Sequence, residues 1–208
     1  MFKLRLAAGL VLLLIAACSP AASTTTVANV PTGIATTVPT QPNSAPATRS
    51  PLQAVAQSTE DQPAWLSTPL VSAETGQTFR LTDFSGKTVY VELMASWCTN
   101  CRIQQGNVRT VKGQLSADDY QFVSLSVEPK DTTALMATYR TQYNYPWTFA
   151  IVPKDMLAAL VEQFGQSVTN PTATPHFIIS PEGAISQLST GIKSADELTS
   201  ALTAASGA

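Results

Sequence analysis

Positive charge is scarce in this sequence and nowhere concentrated. Twelve Lys and Arg stand against 14 Asp and Glu, and together they make up 12% of the chain, about half the usual share. With no Lys/Arg cluster to neutralise phosphates, a nucleic-acid partner is excluded on electrostatic grounds. There is one histidine, His176, so a multi-histidine metal site cannot be built. Three cysteines are too few for a disulfide scaffold. Fourteen prolines among so few charges point to an unfolded spacer somewhere in the 208 residues.

What is present begins with a short basic start, Lys3 and Arg5, followed by an apolar run from Leu6 to Ala17. The run is too short for a bilayer span of about 20 residues and suits the apolar core of a signal peptide. It ends Ile15-Ala16-Ala17-Cys18, which resembles the bacterial lipobox. That resemblance implies cleavage after residue 17, a diacylglycerol on the Cys18 sulfur and a lipid-anchored protein on the extracytoplasmic face of a membrane. Removing Lys3 and Arg5 leaves ten basic against 14 acidic side chains. Attachment would therefore rest on acyl chains, which hold stably when there are two or more.

Between Ser19 and Pro51, 24 of 33 residues are Ser, Thr, Pro or Ala, and Arg49 is the only charge before Glu60. Such a stretch cannot bury enough surface to offset its chain entropy. Residues 18–62 are therefore expected to be a lipidated cysteine and a disordered tether. Its root-mean-square span would be roughly 35–40 Å.

From residue 63 to 208, strand and helix patterns alternate, the signature of an α/β sheet with crossover connections. A hairpin is expected over Val71–Arg80, strands over Val89–Met94, Gln121–Val127, Trp147–Ile151 and Phe177–Ile179, and a last strand over Ala184–Leu188. Helices are expected over Cys98–Leu115 with Ile103, Val108, Val111 and Leu115 inward, and over Thr132–Tyr143 with Asp131 marking its start. Two more follow, over Asp155–Phe164 and from a Ser194 cap to about Thr203.

The chemistry concentrates at Trp97-Cys98-Thr99-Asn100-Cys101, directly after an apolar strand. A helix N-terminus presents free N–H groups and the positive end of the dipole, both of which favour a thiolate. Cys98, expected to be the exposed member, would be the nucleophile, and Cys101, one turn deeper, would attack a mixed disulfide formed on it. Half of a zinc site and a purely structural disulfide are the alternatives. Zinc wants about four ligands, with only His176 conceivable as a third. A disulfide closing two residues would constrain little of the unfolded chain. Glu92, six positions before Cys98 in an otherwise apolar strand, is costly to bury and so marks either a functional acid or a solvent-facing residue. Trp97 reads as an apolar contact for partners.

These segments together resemble the thioredoxin superfamily and, within it, the membrane-anchored TlpA/ResA-like thiol-disulfide proteins. Ala95-Ser96-Trp97-Cys98-x-x-Cys101 resembles their active-site segment. Thr75–Leu81 and Asp83–Lys87 are similar to their N-terminal hairpin and the turn after it. Ser126-Val127-Glu128 and Tyr143–Pro146 resemble the inserted element, and Thr174-Pro175 the cis-proline loop. Asn100 departs from the subgroup, which usually has proline there; that residue pair tunes the redox potential. The resemblance implies a thioredoxin-like α/β fold, a central mixed sheet flanked by helices, with an N-terminal hairpin and an inserted strand–helix element. It implies that Glu92 exchanges a proton with Cys101. It also implies that Pro175 lies cis beside the disulfide and bars metal, while the backbone of Thr174 docks an extended client. The expected activity is reduction of client protein disulfides, as in cytochrome c maturation. No cofactor is expected beyond the Cys98–Cys101 pair; electrons would come from a membrane-embedded thiol carrier. Ser126–Thr132 is also reminiscent of copper-handling proteins of the synthesis-of-cytochrome-oxidase type, an alternative from another class.

Overall fold

Seven consecutive residues, Thr88–Met94, form strand β3, and every one is buried. A mostly apolar run covered on both faces suits the middle of a partly parallel sheet. In the computed structural model, which describes residues 62–207, β3 pairs in parallel with β4 (Tyr120–Ser126) and antiparallel with β6 (His176–Ile179). Beyond β4 lies β5 (Thr148–Ile151), again parallel, giving the order β5-β4-β3-β6. The expected signal peptide, Cys18 and all but the last residue of the tether lie outside the described residues.

The parallel pairs require crossovers. Helix α1 (Thr99–Lys112) joins β3 to β4, and α2 (Thr133–Gln142) joins β4 to β5. Helix α3 (Lys154–Phe164) follows β5, and α4 (Ala195–Ser206) closes the chain. Ahead of the sheet, β1 (Leu70–Val71) and β2 (Thr78–Phe79) form the expected small hairpin, tied to β5 by Ala73 N–H donating to the Phe149 carbonyl at 2.8 Å. This is a thioredoxin-like α/β fold with a mixed central sheet flanked by helices.

Alternation along β3 sorts the core into two halves, because successive side chains point to opposite faces. Val89, Val91 and Leu93 pack with Trp65, Met156 and Leu160, on the α3 side. Tyr90 and Met94 pack with Val108, Val111 and Leu202, on the side of α1 and α4. Glu92, even-numbered like Tyr90 and Met94, shares the second face.

Five local expectations are corrected. The strand expected at Ala184–Leu188 is reduced to isolated bridges, Ile179 to Ile185 and His176 to Ser189. Helix α2 is capped by Thr132, whose hydroxyl accepts from Leu135 N–H at 3.1 Å; Asp131 is drawn away by stronger donors described below. Helix α1 ends at Lys112 rather than Leu115, and α4 runs on to Ser206. Ile103, expected inward, is 51% exposed, while Gln104 and Gln105 are buried in its stead.

Gly165 ends α3 with φ 80 and ψ −178, a region essentially closed to residues with a Cβ. Nothing lies within 4 Å of where a Cβ would stand there, so the cost of a side chain is conformational alone. Gly165→Ala is expected to lower stability by about 1–3 kcal/mol. Gly113→Ala, at the ordinary helical φ of −72, is expected to be neutral or slightly stabilising. Urea unfolding of both variants checks the pair; equal effects would refute the backbone account.

Candidate active site

Cys98 caps α1: its N–H donates to the Ala95 carbonyl at 3.0 Å, and its sulfur accepts from Cys101 N–H at 3.1 Å. Cys98 and Cys101 form a disulfide with Cα atoms 5.3 Å apart, within the ordinary range. The Cys101 N–H is aimed at Cys98 Sγ, beside the unpaired N–H groups of the first helical turn. They favour its thiolate.

Cys98 is not the exposed member of the pair. It is 0% exposed and Cys101 2%. The cover is a short turn, Pro171–Ala173, more than 70 residues along the chain. The Pro171 carbonyl oxygen lies 3.3 Å from Cys98 Sγ and 3.2 Å from Cys101 Sγ. Disulfide sulfurs carry no proton, so these are contacts; after reduction each thiol has an acceptor in place. Asn100 Nδ2 donates to the Thr172 carbonyl at 2.8 Å, tying the same turn to α1.

Glu92 is buried, 3% exposed. Ser124 Oγ donates to its Oε1 at 2.9 Å, and Gln105 Nε2 donates to the same oxygen. These donors sit in a longer network. Trp147 Nε1 donates to Ser124 Oγ at 2.7 Å, and Tyr139 OH to Gln105 Oε1 at 2.7 Å. Burial raises the Glu92 pKa to about 7, against the opposing pull of the two donors. No hydrogen bond joins Glu92 to either sulfur; its partner Gln105 stands one helical turn beyond Cys101. Burial also pushes the Tyr139 phenol well up, so it stays a neutral donor.

The strand-end loop before Cys98 is held from the other side. Asp131, buried, accepts from Ser96 N–H at 2.9 Å, Ser126 Oγ at 2.6 Å and Ser96 Oγ. Trp97 is 53% exposed and its Nε1 donates to Glu128 Oε2 at 2.7 Å. Sequence reading passed over Gln105 and Pro171, and took Asp131 for a helix start and Glu128 for part of the inserted element rather than for supports of the loop before Cys98. For Gln105 one signal existed: a polar residue four positions after Cys101, on the same helix face.

Thr174 and Pro175 lie beside the covering turn, but the cis peptide expected before Pro175 is corrected: no cis bond occurs among the described residues. The chain turns instead through Thr174, left-handed at φ 49 and ψ 52. Pro175 joins the sheet edge, its carbonyl accepting from Leu93 N–H at 2.9 Å. The Thr174 backbone is occupied within the chain. Its N–H donates to Pro171 and its carbonyl accepts from His176 Nδ1 at 2.8 Å. Only the carbonyl's second lone pair is left for a client. That contact requires the Nδ1-protonated tautomer; burial lowers the His176 pKa and favours the neutral ring.

Residues 42–204 match the family described as Redoxin. Among solved structures, DsbF of Mycobacterium tuberculosis is 23% identical, with 70% of this chain and 99% of that one covered at a TM-score of 0.55. A thiol:disulfide interchange protein of the thioredoxin family from Chlorobium tepidum is 19% identical, covering 67% and 94%, with a TM-score of 0.57. The exposed lipoprotein thioredoxin Etrx1 of Streptococcus pneumoniae is 21% identical, covering 66% and 98%, with a TM-score of 0.53. At these identities the likeness speaks to the fold.

The raised pKa of Glu92 makes stability pH-dependent. Below the ordinary glutamate value of about 4.5 both folded and unfolded states hold the proton, and the native state bears no penalty. As pH rises through 7, the unfolded state ionises first and stability falls, by on the order of 3 kcal/mol in full. Glu92→Gln is expected to remove this slope, so its stability relative to the parent improves between pH 5 and pH 7.5. Urea titrations at both values check it; an unchanged difference would mean that Glu92 does not titrate as described.

Proposed function

The chain belongs to the Redoxin family, and on that premise we propose that it is an extracytoplasmic thiol-disulfide oxidoreductase, a lipid-anchored reductant of client protein disulfides. The observation that carries the reading is the Cys98–Cys101 disulfide at the N-terminus of α1, with Cys101 N–H on Cys98 Sγ.

The reaction balances as two exchanges. The Cys98 thiolate attacks one sulfur of a client disulfide; an S–S bond to the client forms and the other client sulfur leaves as a thiolate. Cys101 loses its proton and attacks Cys98 Sγ, releasing the second client thiolate and closing the Cys98–Cys101 bond. Two electrons pass to the client, the Cys101 proton goes to its acceptor, and the two client thiolates take up protons from solvent according to their own pKa values. A membrane-embedded dithiol carrier restores the reduced pair by the reverse exchange. Glu92, titrating near 7, is the candidate acceptor for the Cys101 proton, through its position one turn away by Gln105. Trp97, held by Glu128, offers an apolar contact to the client beside Cys98, and Thr174 and Pro175 form the opposite wall.

The finer reading, a TlpA/ResA-like protein serving cytochrome c maturation, is supported by the order of motifs in the sequence. Anchoring through Cys18 is supported by the lipobox and the charge-poor tether; a lipoprotein thioredoxin of similar fold exists in Streptococcus pneumoniae. The copper-handling alternative draws nothing from the site. The one histidine is buried and bonded to Thr174, and two residues of the segment that suggested it, Ser126 and Asp131, hold the loop before Cys98.

Cys101→Ser should trap clients as mixed disulfides on Cys98, whereas Cys98→Ser should not; trapping only by the second variant would reverse the roles. Mass spectrometry of the mature N-terminus should find a diacylglyceryl-modified Cys18 as the first residue. An unmodified Cys18, or cleavage elsewhere, would refute the anchor.

A further inference from the structure

A buried carboxylate is ordinarily steadied by a cation, and Glu92 has none. Among the described residues the one ion pair joins Arg140 to Glu74. The titratable groups around Glu92 are Tyr90 on its own strand, His176 opposite it on β6, Cys101 on α1, Tyr139 on α2 and Tyr145 after it. Arg102 and Arg109 stand further out, over the rings of Tyr143 and Tyr145, and α4 buries only Leu198 and Leu202. What holds the carboxylate is the direction of two hydrogen bonds from neutral groups, both on Oε1.

Each direction is enforced by a buried residue one step away. An indole N–H can only donate, so Trp147 Nε1, 2.7 Å from Ser124 Oγ, occupies a lone pair of that hydroxyl. The single Ser124 proton is left for Glu92. A side-chain amide can present either its NH2 or its oxygen. Tyr139 OH donates to Gln105 Oε1 at 2.7 Å, which turns the NH2 end to Glu92. A flip of that amide would leave the buried Tyr139 proton without an acceptor, at the cost of an unmade hydrogen bond. Both arrangements serve the ionised acid best, because a hydrogen bond donated to a carboxylate is stronger than one to a neutral oxygen. Neither neighbour is turned to accept the proton of the neutral form.

We propose that Trp147 and Tyr139 are positioning residues: acting through Ser124 and Gln105, they fix both hydrogen bonds on Glu92 as donated ones and so favour its ionised form. Combined with the reading of Glu92 as the acceptor of the Cys101 proton, on which this use of the network rests, they keep the base ready. When Cys101 closes onto a mixed disulfide of Cys98 with glutathione, the Cys101 proton passes to Glu92. The Cys98–Cys101 bond forms and glutathione leaves as its thiolate.

The test follows Glu92 itself, by the carboxyl-carbon resonance of isotope-labelled glutamate in the oxidised full chain, where neither Cys98 nor Cys101 titrates. The resonance missing from Glu92→Gln identifies it. Tyr139→Phe removes one oxygen and keeps the ring; Trp147→Phe removes the indole N–H. Each should raise the pH midpoint of Glu92 by about one pH unit, a tenfold change in proton affinity. Tyr143→Phe, on a ring 4.9 Å from that of Tyr139 but outside the hydrogen-bond chain, should leave the midpoint in place. In a Ser124→Ala background, Trp147→Phe should add nothing. The pH at which the closing rate with glutathione rises should move with the midpoint. An unmoved midpoint in either variant would overturn that residue's role, and Tyr139→Phe by itself decides the matter if Trp147→Phe does not fold. A Trp147→Phe shift that persists without Ser124, or an equal shift in Tyr143→Phe, would mean that packing acts rather than hydrogen-bond direction, and would overturn the proposal too. Midpoints that move while the closing profile stays put would uphold the positioning and refute only Glu92 as the acceptor of the Cys101 proton.

Discussion

Where β3 stops decides where the sulfurs are. The strand is bonded along all seven residues to β4 and along four to β6. The pairing continues past its end, with Val127 N–H on the Met94 carbonyl and Leu93 N–H on Pro175. Met94 is therefore fixed from both sides, and α1 begins five residues later. Its first turn, with the N–H groups that favour a thiolate, inherits that fixed position. The cost of keeping a carboxylate inside the same strand is on the order of 3 kcal/mol when ionised. Fully buried Val91, Leu93 and Met94 each contribute roughly 1.5–3 kcal/mol by leaving water, which offsets the cost of Glu92 in the same strand.

Two buried carboxylates serve the site differently. Glu92 lies mid-strand under α1 and shares its two donors with a network that reaches Tyr139 and Trp147. Asp131 lies at the sheet's end and takes three hydrogen bonds, two from Ser96. Burial raises the pKa of the first; the second holds the peptide that leads into Cys98. Gln104 belongs to the same economy of satisfied polar groups: it donates to Tyr90 OH at 3.1 Å and accepts from Lys193 N–H at 2.7 Å.

Strand and helix order, the hairpin, the helix-capping cysteine and the buried acid were legible because each is a local or periodic signal. β3 is a nearly unbroken apolar run, and a single Glu within it stands out. Ile103 misled because an amphipathic pattern assumes that buried positions are apolar, whereas Gln104 and Gln105 are buried with their partners supplied by Tyr90, Lys193, Tyr139 and Glu92. Asp131 and Thr132 are both good cap residues, and nothing nearby in sequence says that Ser96, 35 residues away, will claim the first. The cover over Cys98 comes from residue 171, which no spacing rule around the cysteines could reveal. Nor did the residues around Pro175 disclose which isomer the folded chain holds.

The wiring of Trp147 has an optical consequence. Its indole is buried, stacked on Phe149, and donates to Ser124, whose hydroxyl donates in turn to Glu92. Charge appearing on the Glu92 carboxylate strengthens the pull on that hydroxyl proton and, through it, on the indole N–H. The excited state of an indole is sensitive to such a field, so the emission colour of Trp147 reads the carboxylate's ionisation without any label. Trp97, exposed beside the sulfurs, and Trp65, bonded to Gln163 on the opposite half of the core, answer to different surroundings. The protein thus carries a built-in fluorescent indicator of the proton content of its own interior.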